Sequence, residues 1–179
     1  MTSEQEPCVP SYQGLQPASE AASRVKRRNR KKDTAHEVLL RRALWRMGLR
    51  YRKHVARLPG NPDLVFFRAR LVVFCDGDFW HGRNWEQLRL QLEQRHNAAY
   101  WLAKIGSNRA RDRRNTASLE GQGWTVLRCW ETDVKKDPDA TARTIAGAVR
   151  TRLAEASASS STAPGLARNT SRATARASS

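Results

Sequence analysis

Apolar positions change their spacing several times along this chain, and each change marks an element. Val65, Phe66 and Phe67, then Leu71, Val72, Val73 and Phe74, are β-branched or aromatic runs of strand length, split by the polar link Arg68 to Arg70. They predict a β-hairpin. Upstream, Leu39, Leu40, Ala43, Leu44 and Met47 recur at helical spacing and predict a helix over Thr34–Met47. Thr34 and Glu37 form a capping-box pair at its start, and Gly48 is a natural stop. Arg50 to Val55 suits a first edge strand, and Leu58 to Pro62 (LPGNP) a turn into the hairpin.

Downstream, Gly82 to Asn97 is polar, with Leu88, Leu90 and Leu92 at alternate positions, and suits a short helix or a loop. A longer helix is expected from about Ala98 to Glu120, closed by Gly121 and Gly123, followed by a strand over Trp124 to Trp130. Glu131 to Pro138 reads as a polar turn and Ala140 to Leu153 as a last helix, with Ile145 and Val149 on its inner side. No internal repeat is visible. The pattern belongs to the α/β class.

Composition sets the limits of this folded part. Residues 1–23 mix Ser, Gln, Glu, Pro and Ala without periodicity and read as a disordered leader. In residues 24–32, seven of nine positions are basic. That run is either a solvated charge tract or a DNA-contacting arm. Residues 33–154 hold the core-forming positions, and residues 155–179 form a Ser, Ala, Thr and Arg tail expected to be disordered. The formal net charge of +16, from 33 Lys and Arg against 17 Asp and Glu, exceeds what solubility needs and points to a polyanion, foremost nucleic acid. No apolar run is long enough to span a membrane, and the N-terminus has no secretion signal. Cys8, Cys75 and Cys129 fit no disulfide framework, which suggests a reducing cytoplasm.

The hairpin carries the candidate chemistry. In an antiparallel pair the start of one strand and the end of the next come level, so Asp63 is expected beside Cys75 and Asp76. Hydrolysis of a phosphodiester calls for a hard divalent cation on oxygen ligands, a base for water and positive charge on the phosphate. Asp63 and the Cys75 backbone carbonyl are candidate ligands, and His81 a candidate base. Asp76, Asp78 and Asp112 are further acids. Asp112 falls on the apolar face of the long helix with Trp101, Ile105, Asn108 and Leu119, where it either pairs with an Arg or serves the site. Glu37 is already explained as a helix cap, and Phe79 and Trp80 as strand-end core.

Taken together, DTAHEVLLRRALWRMGLRYR, LPGNPDLVF, VVFCDGDFWHG, W-x-x-K-I-x-x-N-x-x-R-D-R-R and GWTVLRCWE resemble the very short patch repair (Vsr) endonucleases. The blocks are collinear from about Arg24 to Asp133, and their order and spacing make the match specific. The resemblance implies a restriction-endonuclease-like three-layer fold of the PD-(D/E)xK type, with a mixed sheet of about four to five strands flanked by helices. It implies a Mg²⁺-dependent enzyme that nicks double-stranded DNA at T:G mismatches left by deamination of 5-methylcytosine. It makes Asp63 the principal metal ligand, the Cys75 carbonyl a second, His81 the base, Glu37 a supporting residue and Asp112 an acid behind the metal. Phe79 and Trp80 become a wedge that enters the base stack, which a weak T:G pair admits more readily than a matched one. Arg24, Lys26, Arg27, Arg28, Arg30, Lys31, Lys32, Arg109 and Arg113 are the expected DNA-binding cations.

Two departures stand out. Family members hold a structural zinc through residues whose counterparts here are Asp78, Arg83, Trp85 and Thr132, so no zinc is expected. Asp76 replaces a frequent His, and could join either the metal site or the catalytic group. A monomer is expected, in the cytoplasm with the nucleoid, with room for other repair proteins as partners. Two other functions fit the same blocks. One is cleavage of foreign or unmodified DNA in a defence or restriction system, and the other is DNA binding with weak catalysis.

Overall fold

The computed structural model describes residues 32–161. The basic residues Arg24, Lys26, Arg27, Arg28, Arg30 and Lys31 lie outside them, whereas Lys32 is described and exposed. Helix α1 covers Ala35–Arg46, with Thr34 as N-cap and Met47 as C-cap, as the capping-box reading requires. Strand β1 is only Arg52–Lys53. The expected edge strand ends early because His54 adopts φ 46°, which turns the chain away. Strands β2 (Leu64–Phe66) and β3 (Leu71–Asp76) form the predicted hairpin, with Leu64 opposite Val73 and Phe66 opposite Leu71.

After β3 come α2 (Trp85–Glu93) and α3 (Ala98–Gly121), and then β4 (Thr125–Trp130). Strand β4 runs parallel to β3, with Cys129 opposite Cys75 and Trp130 opposite Asp76. The sheet is therefore mixed, in the order β1-β2-β3-β4. Glu131 to Pro138 is not a plain turn, because Glu131–Lys136 forms helix α4. Acids in its first turn and lysines in its last suit the helix dipole, and its Val134 is fully buried. Helix α5 begins at Pro138, a favoured first helical residue, and continues to Ser161 rather than stopping near Leu153. The Ala-rich sequence keeps helix propensity there, so the helix passes the compositional boundary at residue 155.

The sheet is covered on both faces. On one, Leu40 and Leu44 of α1 and Ile145 and Val149 of α5 pack with Leu64, Leu71 and Val73. On the other, Leu119 of α3 and Trp124 pack on Val65, Val72 and Phe74. This is the three-layer arrangement expected. Since residues alternate faces, β3 is buried on both sides and reads as a continuous apolar run. Two glycines with positive φ seat the site's loops against α3. A Cβ on Gly60 would lie 2.8 Å from Asn115 Nδ2, and one on Gly82 2.8 Å from Arg109 Cδ.

Candidate active site

A cleft of about 1760 Å³ opens between the start of α1, the site ends of the sheet strands and α3. Asp63, just before β2, sends its Oδ2 across the hairpin to accept the Cys75 N–H at 2.7 Å. The two hairpin ends thus meet, as the pairing rule predicts. Burial pushes the Asp63 carboxyl up to about 7. The Cys75 N–H offsets this only in part, while Glu37 and Asp76 push the same way. His54 stands between two acids, with Nδ1 3.6 Å from Asp63 and Nε2 3.8 Å from Glu37. Its buried Nε2 has no hydrogen-bond partner.

Glu37 is buried and works as the helix cap, accepting from the backbone N–H of Asp33 at 3.0 Å and from Thr34 Oγ1 at 2.7 Å. It also lines the cleft. His36, one residue earlier, places Nε2 3.4 Å from the Cys75 carbonyl oxygen. The donor set fits a hard divalent cation. It offers a half-buried carboxylate with acidic neighbours and, across the hairpin, a backbone carbonyl oxygen on the cleft wall.

The opposite wall carries His81, the candidate base, and its acidic neighbours. His81 sits at the end of a tight turn after β3, in which its N–H donates to the Gly77 carbonyl at 3.1 Å. Asn108 Nδ2 donates to the Trp80 carbonyl at 2.9 Å and ties the turn to α3. His81 Nδ1 is 2.6 Å from Asp112 Oδ2, so the carboxylate accepts a hydrogen bond from Nδ1–H and favours the tautomer that keeps the Nε2 lone pair free. Burial alone would raise Asp112, but the His81 hydrogen bond and the charges of His81, Arg128 and Arg111 hold it below the usual carboxylate range.

Arg128 of β4 completes this wall. It donates to both oxygens of the buried Asp76, at 2.5 and 2.9 Å, and reaches Asp112 Oδ2 at 3.3 Å. Asp76 Oδ1 is itself 3.5 Å from His81 Nδ1. Asp76 is therefore committed to Arg128 and His81, on the wall of the candidate base. Burial opposes the Arg128 charge, but the Asp76 and Asp112 carboxylates outweigh it and raise its pKa above the ordinary value.

Phe79 and Trp80 are half-buried and meet edge to face, with ring centroids 5.2 Å apart, and both pack on Trp101 of α3. Among the α3 cations, Lys104 and Arg111 line the cleft. Arg109 instead lies over the Trp85 ring at 4.8 Å, and Arg113 is exposed outside the cleft. The helical reading separated the apolar face from the basic ones correctly, but it did not identify which basic flank borders the cleft.

The family model described as DNA mismatch endonuclease Vsr matches residues 17–87. A type II nicking enzyme of Neisseria meningitidis serogroup C is 42% identical over 122 residues, covering 68% of this chain and 81% of the relative. The chain belongs to the Vsr endonuclease family. A type II nicking enzyme of Haemophilus parainfluenzae is 38% identical over 64% of this chain and 80% of its own length. The DNA mismatch endonuclease Vsr of Escherichia coli strain K12 is 40% identical over 56% of this chain and 62% of its own length. This Vsr family member is a DNA endonuclease, and no helix among its described residues is long and apolar enough to cross a membrane.

Three of the four positions singled out for zinc ligation in Vsr endonucleases are joined here by polar contacts. Asp78 accepts from Arg83 at 3.3 Å, and from the Thr132 N–H at 3.1 Å and its hydroxyl. Arg83 also donates to Asp133 at 2.7 Å. The fourth position, Trp85, is the ring beneath Arg109. These contacts tie the turn of residues 77–83 to the start of α4. Sequence reasoning missed His36, His54 and Arg128. An Arg in the middle of a half-buried strand was the available signal for Arg128, since such a charge needs a partner.

Proposed function

We propose that this enzyme uses Mg²⁺ to nick one strand of duplex DNA at T:G mismatches created by deamination of 5-methylcytosine. The reading rests above all on the His81–Asp112 pair, 2.6 Å apart, facing Asp63 across a cleft of substrate size. The mismatch activity in the name of the matching family model supports it further. Asp63 and the Cys75 carbonyl would hold the cation, which would supply positive charge at the scissile phosphate when bound. His81 Nε2 accepts a proton from the attacking water as its oxygen bonds to phosphorus; one P–O ester bond breaks, and the departing oxygen takes up a proton from solvent. Asp112 keeps the imidazole in the required tautomer. Lys104 and Arg111 bind backbone phosphates, with Lys32 and the basic run before it as a further arm. Phe79 and Trp80 enter the stack beside the mismatch.

A second reading has its own support, because the two relatives from Neisseria and Haemophilus are named type II nicking enzymes. On that reading the same nicking centre serves a restriction system. Labelled duplexes carrying T:G, T:A or C:G at one position, incubated with enzyme and Mg²⁺, decide between them. Nicking of T:G alone is the expected result. Equal cutting of all three would favour the restriction role, and intact DNA with retarded mobility would overturn both.

A further inference from the structure

The wall behind His81 holds more charge than orienting an imidazole requires. Two carboxylates face Nδ1, Asp112 of α3 at 2.6 Å and Asp76 of β3 at 3.5 Å. One cation, Arg128 of β4, touches both of them, at 3.3 and 2.5 Å. Asp63, across the cleft before β2, and Lys104 and Arg111 of α3 are further charged groups lining the same cleft. Asp76 is 2% exposed, and an acid so buried is sustained only by its partner. Phe74 closes one side of the cluster, its ring 4.9 Å from the Arg128 guanidinium.

We infer that Arg128 is a positioning residue for nicking: it cancels the Asp76 charge and braces Asp112, so that His81 meets one net negative charge and is held in one orientation. This rests on the nicking function proposed above. The charges can be counted. With both acids and Arg128 in place the imidazole faces a net of one negative charge. Without Arg128 it faces two, which favour the protonated ring that cannot accept a proton. Without the Asp76 charge it faces none, and the protonated ring is disfavoured. Arg128 sits in β4 opposite Phe74 in the parallel register, which brings its side chain to the end of the sheet where Asp76 and Asp112 converge.

The experiment is a pH profile of single-turnover nicking on the T:G duplex in Mg²⁺, with Arg128→Met, Asp76→Asn, the double variant and Arg128→Lys. In Arg128→Met the midpoint of the acidic limb should move up by about one pH unit or more, and in Asp76→Asn it should move down. The double variant, with the original net charge, should return close to the wild-type midpoint, and Arg128→Lys should stay near it. Loss of packing alone would lower the plateau in every variant without this ordered movement. The same series, read by NMR titration of isotope-labelled histidine in an Asp63→Asn background without divalent ions, follows the His81 ring independently of activity. Midpoints in the expected order establish the charge balance even where wild-type enzyme fails to nick the duplex, a failure that would sink only the nicking reading. If Arg128→Met does not fold, Asp76→Asn decides alone. A His81 midpoint that Asp76→Asn leaves unmoved overturns the inference.

Discussion

Asp63 and Asp112 stand on opposite walls of one cleft, both largely withdrawn from water, yet their affinities for a proton move in opposite directions. Asp63 is pushed up to about 7, while Asp112 is held below the usual range. Burial acts on both in the same sense, so the difference lies in what each carboxylate faces. Asp112 has His81 at 2.6 Å and Arg128 at 3.3 Å. Asp63 has a backbone N–H, a histidine and two further acids. One wall carries its own cation, and the other, on the function proposed above, would receive one.

The largest way to break this contrast is Asp63→Ala, which removes the carboxylate on the cation-poor wall. It should reduce nicking by at least about 10³-fold while DNA binding, measured by gel retardation, is kept or improved. His81→Ala should slow single-turnover nicking by about 10² to 10⁴-fold, the usual worth of a positioned base. Asp112→Asn should cost about 10 to 10²-fold with Kd for the duplex nearly unchanged, because Asn no longer favours the Nδ1–H tautomer. A wild-type rate in any of these variants would remove that residue from the site.

Stability sharpens the contrast further. The Asp63 pKa in the folded state lies above the unfolded value of 3.8. Its stabilising contribution is therefore complete below 3.8 and is lost as pH rises through about 7. Urea melts in chelator should show wild type losing roughly 1–3 kcal/mol relative to Asp63→Asn between pH 5 and pH 8, and Mg²⁺ should return part of the difference. Asp112 has the opposite sign. Its contribution is present above 3.8 and disappears only as pH falls through its lowered value. Equal slopes in wild type and Asp63→Asn would show that Asp63 has an ordinary carboxylate pKa. The smallest effect belongs to Arg83→Met. Its partners Asp78 and Asp133 are exposed enough for solvent to screen them, so Tm should fall by no more than about 2 °C and converge with wild type at high salt.

Local pattern carried much of this molecule. The hairpin, the capped first helix, the long helix and the late strand are all legible from spacing, and so is the meeting of Asp63 with Cys75. Asp112 was marked by its place on an apolar helix face, and the structure brings it to His81. The reading failed where partners are remote in sequence. Arg128 finds Asp76 only through the parallel register of β3 and β4, 52 residues apart, which no local pattern encodes. His54 looked like part of an edge strand because nothing in Arg50 to Val55 signals its positive φ. The segment Glu131 to Lys136 passed for a turn because a six-residue helix shows too little periodicity, and only the burial of Val134 gives it away.

The parallel pairing of β3 with β4 also bears on when the enzyme becomes able to cut. Its connection runs through α2 and α3, so the two strands meet only after a long loop has closed, a slow kind of contact to form. Until then Asp63 and the Cys75 carbonyl can already share a hairpin, but Asp112 and Arg128 have no fixed place beside His81. On the nicking function proposed above, opening the β3–β4 pairing should therefore take Arg128 from Asp76 and stop cutting, while Asp63 and Cys75 stay joined within the hairpin.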